Sequence, residues 1–120
     1  METIKINSFS KEAASQTKGE LLNSMMEPFL RENKTFAVDF TGITRFASPF
    51  FNNSFAKSAL MYGFDKINSI QKINISEIGL LTYQTSIDNA ILLSEKPEYS
   101  EKINTIINKN LPKRDDWHDK

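Results

Sequence analysis

The chain has no cysteine, which excludes disulfides, thiolate metal sites and cysteine nucleophiles together. It has one histidine, His118, and four glycines, at positions 19, 42, 63 and 79. Glycines so scattered form neither a dinucleotide-binding loop nor a P-loop phosphate cradle. There is no Gly-x-Ser-x-Gly nucleophile elbow either. Charge of one sign is also missing, since fifteen acidic and fifteen basic residues cancel. Nucleic-acid binders neutralise phosphates with a basic excess, and none is supplied here. No apolar run approaches a membrane span, with Ile91-Leu92-Leu93 among the longest. The N-terminal METIKINSFSKEAASQ lacks the apolar stretch behind basic residues that marks a signal peptide. These absences lead to the expectation of a cytoplasmic protein that is not an enzyme and uses no cofactor, metal, nucleic acid or membrane.

What is present suffices for one core. The chain has 120 residues, 39% hydrophobic and 25% charged, a globular composition at a length that buries about two-thirds of its surface on folding. Thr3-Ile4-Lys5-Ile6-Asn7 alternates with the period of a half-buried strand. Ser8 or Ser10 then offers a helix cap, and Leu21, Leu22, Met25, Met26, Phe29 and Leu30 form an apolar stripe. Gly19 and Pro28 predict a kink near Met25 or two helical pieces, with the exit at Asn33 and Lys34.

Phe36–Phe40 is apolar on both parities, the pattern of a central parallel strand. Ser48-Pro49 marks a helix start, serine capping and proline first in the helix, running through Phe51, Phe55, Ala59 and Tyr62 to Gly63. Ile70, Ile73 and Ile75 predict a third strand. Ser76-Glu77 opens a helix with the stripe Leu80, Tyr83, Ile87, Ala90 and Ile91. Pro97 is placed to start a last helix with Tyr99, Ile103, Ile106 and Ile107 on its apolar face. The expected organisation is a single α/β domain over residues 1–108 and a flexible tail over 109–120, which carries Trp117 among Asp115, Asp116, His118 and Asp119.

Strands alternating with helices imply crossover connections and a mostly parallel sheet of three to four strands. A 1-2-3 strand order with right-handed crossovers places the first two helices on one face. So short a sheet leaves edges that another strand or a second copy of the chain, as a homodimer, would complete.

Few residues stand out as candidates for function. Asp39 ends the central strand, at the rim where open α/β sheets bind ligands, and Thr44 follows in the same connection. Asp39 reads first, however, as an acceptor for backbone amides of the turn around Gly42. Ser48 reads first as a helix cap and second as a phosphosite at a helix start. Asn52, Asn53 and Ser54 are poor helix formers directly after Phe50-Phe51. They offer either an amide-rich partner-binding surface or a plain polar face. Phe46, Phe50, Phe51 and Phe55 lack the interleaved basic residues of a base-stacking surface and read as core.

Phe36-Ala37-Val38-Asp39-Phe40-Thr41-Gly42-Ile43 followed by Ser48-Pro49-Phe50-Phe51-Asn52-Asn53 resembles the STAS-like domain family of unknown function. Gly19-Glu20-Leu21-Leu22 before the strand, and Ile70–Ile75 with Ser76 after it, extend the resemblance over residues 3–95. Related STAS domains include anti-sigma-factor antagonists, whose corresponding helix start carries a serine phosphorylated by an ATPase-fold kinase. Pro49 stands at that phosphoacceptor position and Ala47 at the acidic one before it, leaving Ser48 as the nearest hydroxyl. The resemblance implies a STAS-like α/β fold and a regulatory protein-interaction module. It further implies a GHKL-type ATPase or a transcription regulator as partner, bound through the Ser48–Tyr62 helix start at Ser48, Asn52, Asn53 and Ser54. A small-ligand or nucleotide module at the strand C-terminal ends, around Asp39 and Thr44, is the alternative.

Overall fold

The apolar segment predicted as the central strand is the middle of the sheet. The computed structural model describes residues 1–95. In it β1 (Glu2–Lys5), β2 (Phe36–Asp39) and β3 (Gln71–Ile73) form a parallel sheet in the order β1-β2-β3. Ile4 lies opposite Val38, and Val38 opposite Lys72. Directly paired residues share a face. Ile4, Phe36, Val38 and Phe40 all turn into one core with α1 (Gln16–Arg31), α2 (Ser48–Asn52), α3 (Phe55–Tyr62) and α5 (Glu77–Ser94). On the opposite face Thr3, Lys5 and Gln71 are exposed. The first two crossovers lie on one face, as the strand order requires: α1 packs on both α2 and α3. A short helix α4 (Phe64–Asn68), not foreseen, follows Gly63. With only Ile67 buried in five residues, it leaves no period to detect.

The first helix starts later than expected. Ser8 donates to the Lys5 carbonyl and Ser10 to that of Glu12, each inside its own turn. Ser15 is the cap, accepting the Lys18 amide at 3.1 Å. Of the two expected outcomes, two helical pieces are ruled out, since α1 continues through Pro28 as one helix. The amide that Pro28 lacks would have reached the carbonyl of Ser24, an exposed residue, where water can replace it. The exit falls where predicted. Asn33 is left-handed, with φ 57°, its amide bonding Leu30 O at 3.2 Å and that of Lys34 bonding Phe29 O at 2.8 Å. This paired closure satisfies the last carbonyls of a helix.

The single helix expected from Ser48 to Gly63 is two. At the break, Ser54 Oγ donates to Phe50 O and Asn53 Nδ2 to Pro49 O, both at 2.7 Å. The Ser54 amide turns to Phe51 O instead. Short polar side chains thus take carbonyls that a continuing helix would use. The third strand stops at Ile73 because Asn74 is left-handed, with φ 58°. Ser76 caps α5 as predicted, accepting the Gly79 amide at 3.2 Å. Tyr83, Ile87 and Ala90 of its stripe are buried, but Leu80 is 44% exposed. Gly79 takes the inward position, with no room for a Cβ against Phe46 and Ile75. The predicted helix from Pro97 and the tail over 109–120 lie outside the described residues.

Gly19 has a positive role in packing. A Cβ there would sit 2.4 Å from the carbonyl oxygen of Phe50, so α1 and α2 meet backbone to backbone. Alanine ordinarily stabilises a helix by about 1 kcal/mol over glycine. Here the obstacle is main chain, and the strain of overpacking, about 1–3 kcal/mol, exceeds that gain. Urea denaturation should show Gly19→Ala to be destabilised by about 1–2 kcal/mol, the reverse of the propensity effect. A stabilised variant would mean that the two helices do not touch.

Candidate functional site

The connections after all three strands meet at the C-terminal end of the sheet, and Asp39 joins them. Its Oδ1 accepts from the Thr41 amide at 2.9 Å, the Thr41 hydroxyl at 2.7 Å and Asn74 Nδ2 at 3.2 Å. From the first connection, Asn7 Nδ2 donates to Thr41 O at 3.2 Å. The Thr41 hydroxyl, the Thr41 amide and the Asn74 amide, in that order, hold the Asp39 carboxyl below its ordinary range, against a smaller opposing effect of burial. Asp39 therefore acts as the acceptor that orders this turn. Thr44, further along the connection, is exposed, while Ile43 beside it is buried and its amide bonds Phe40 O at 3.0 Å.

Beyond Thr44 the connection is pinned to the one before α1. Ala13 and Phe46 form an isolated parallel bridge, the Ala13 amide bonding Arg45 O and the Ala47 amide bonding Ala13 O, both at 3.0 Å. This bridge corrects the capping reading of Ser48. Ala47 is the cap residue, no side chain caps α2, and Ser48 is its first residue, with Pro49 next. Because the bridge holds the start of α2, the Ser48 hydroxyl is left exposed. Beneath it Phe50, Phe51 and Phe55 are fully buried. Phe51 stacks on Phe40, Phe46 and Phe55 at centroid distances of 6.2, 6.3 and 6.1 Å.

The polar run after these aromatics is not one surface. Asn52 is exposed and accepts from the Ser86 hydroxyl at 2.6 Å, linking α2 to α5. Asn53 is half-buried against Pro49 O. Ser54 is fully buried, which removes it from the partner-binding surface expected of it: its hydroxyl closes α2. The structure brings Thr44, Ser48 and Asn52 to the exterior along one braced segment, with Asp39 and Thr41 at its base.

A second feature lies at the outer edge of the sheet. Lys72 faces the core with Val38, and its ammonium stands 4.5 Å from the centre of the Tyr83 ring and 5.7 Å from that of Phe55. Burial lowers the pKa of Lys72 and pushes that of the Tyr83 hydroxyl up to about 12. The available signal in the sequence was parity: Lys72 shares a strand face with buried Ile70. A lysine inside an alternating segment otherwise reads as solvent-facing.

Among the described residues no group of three or more His, Cys, Asp or Glu side chains is placed to hold a metal ion, and no helix is long and apolar enough to cross a membrane. A three-stranded parallel sheet with its helices packed over one core, and the second crossover entering through a bridged helix start, defines a small α/β domain. The chain belongs to the family described as STAS-like domain of unknown function (DUF4325), whose model matches residues 19–78, from the first turn of α1 to the first turn of α5. Neither the curated proteins nor the solved structures gave a match to the chain.

The Asp39 geometry sets a pH dependence. A carboxylate favoured in the folded state stabilises the protein above the ordinary value of 3.8, and that contribution is lost as pH falls through the lowered folded value. Asparagine keeps an acceptor for Thr41 but no titrating group. The stability difference between wild type and Asp39→Asn should be constant above about pH 5 and shrink toward pH 2 in acid-denaturation curves. A constant difference across that window would contradict the assigned hydrogen bonds.

Proposed function

We propose that the protein is a non-catalytic regulatory module that binds a protein partner through the segment from Thr44 to Asn52. The partner class that fits the family resemblance is an ATPase-fold protein, such as a GHKL-type ATPase, or a transcription regulator, met in the cytoplasm. The observation that carries this reading is the bracing of an exposed segment. Thr44, Ser48 and Asn52 are exposed, while the backbone that bears them is held by the Ala13–Phe46 bridge, the Asp39 turn and fully buried Phe50 and Phe51. A surface ordered before encounter loses little conformational freedom on binding. Ser48 is also exposed and does not cap α2, so phosphorylation there would add charge at the centre of the surface without removing a cap from the fold.

The test is a paired affinity capture from source lysate with the full chain as bait, wild type against Thr44→Arg/Ser48→Arg. Both sites are exposed, so the melting temperature of the double variant should stay within about 2 °C of wild type. The reading expects an ATPase or transcription regulator retained stoichiometrically by wild type and lost from the folded double variant. Equal retention by both baits, or none by wild type, contradicts it.

A further inference from the structure

Lys72 is costly where it stands. Its residue position pairs with Val38 on the core face. Its ammonium lies over two aromatic rings, and it donates a hydrogen bond to Ile70 O at 2.6 Å. No carboxylate lies within 4.0 Å of it among the described residues. A leucine or methionine would fill the same space without the loss of ammonium hydration. The ring faces attract the cation but offer no lone pair, so its remaining N–H donors are left for water or a ligand.

Those donors adjoin a cleft of about 480 Å³ between β3 and α5, with Lys72 and Tyr83 in its lining. The cleft is broad and open to solvent on one side. Leu80 and Leu81 of α5 also line it and are 44% and 64% exposed, so the cleft has an apolar wall facing water. Asn68 supplies a second oriented donor. Its Oδ1 accepts from the Tyr83 hydroxyl at 2.5 Å, which leaves its Nδ2 as the other arm of the amide. Gln84 lines the cleft too, but its Nε2 is committed to Asp88 at 2.9 Å. Glu77 places a negative charge in the same lining, which disfavours ligands carrying several negative charges.

We propose that the cleft between β3 and α5 binds a small monocarboxylic acid, its carboxylate on Lys72 Nζ and Asn68 Nδ2 and its short apolar chain against Leu80 and Leu81. Lys72 and Asn68 recognise the charged head, the leucines recognise the chain, and Glu77 rejects polyanions such as nucleotides. This site is separate from the surface around Ser48: no residue of the cleft lining belongs to the segment from Thr44 to Asn52.

The probe is hexanoate, titrated into the isotopically labelled full chain and followed by amide chemical shifts, with hexanol and ATP as comparison probes. Saturable shifts centred on Asn68, Leu80 and Leu81 are expected with hexanoate. Charge-assisted hydrogen bonds justify a weakening of at least about tenfold for hexanol and for hexanoate with Lys72→Met. Leu81 is mostly exposed, so Leu81→Glu keeps the fold and should weaken hexanoate at least about tenfold through lost apolar contact and added repulsion; it decides the matter if Lys72→Met does not fold. Absence of saturable shifts, equal binding of hexanol, tighter binding of ATP, or undiminished binding by either folded variant overturns the proposal.

Discussion

The fold turns on the contact between α1 and α2, where main chain meets main chain. Gly19 lets the first helix approach Phe50 to a distance that any side chain would block. Once α2 is set that close, its aromatics have one direction to go. Phe50 and Phe51 turn fully inward, and Phe51 packs against Phe40 at the end of the central strand and against Tyr83 of α5. The same approach brings together the two segments that precede these helices, so Ala13 and Phe46 can pair. A five-residue helix has no stability of its own. Here α2 is ordered because everything around it is already placed.

That placement separates two regions of different chemistry. At the C-terminal end of the sheet, polar side chains are used up within the protein: Asp39, Thr41, Asn74 and Asn7 bond one another and order the turns. What is left outward is the braced segment from Thr44 to Asn52, which shows the uncharged polar side chains of Thr44, Ser48 and Asn52 and one cation, Arg45, 3.9 Å from Glu12. At the outer edge of β3 the reverse holds. Lys72 holds a half-buried ammonium against aromatic rings beside exposed leucines.

Much of the fold was legible because several local signals agreed. Phe36–Phe40 reads as a central strand from its unbroken apolar run. Ser76 before Glu77 reads as a cap, and it is one. Pro49 correctly marks a helix start, although the Ala13 carbonyl and not the Ser48 hydroxyl secures it. Other signals were degenerate. Serines at 8, 10 and 15 are equally good caps in sequence, and only the bridge at Ala13 determines which one begins α1. The break at Ser54 depends on one hydroxyl competing for Phe50 O, a choice made by burial. Gly19 reads locally as a weak point in a helix, because its purpose lies in a neighbour 31 positions away. At the candidate surface, Ser48, Asn52 and Thr44 were identifiable, whereas the burial of Ser54 and the inward face of Lys72 needed the packed structure.

The claim most central to this account is that the segment bearing Ser48 is ordered by the bridge beneath it. Native-state hydrogen exchange of the full chain measures this at two amides, those of Ala13 and Ala47. Both should exchange as slowly as the sheet-paired amides of β2, opening only when the whole domain unfolds. Exchange at the rate of exposed loop amides such as Thr44 would show the bridge to open on its own, and a surface so loosely held would contradict a pre-ordered partner site.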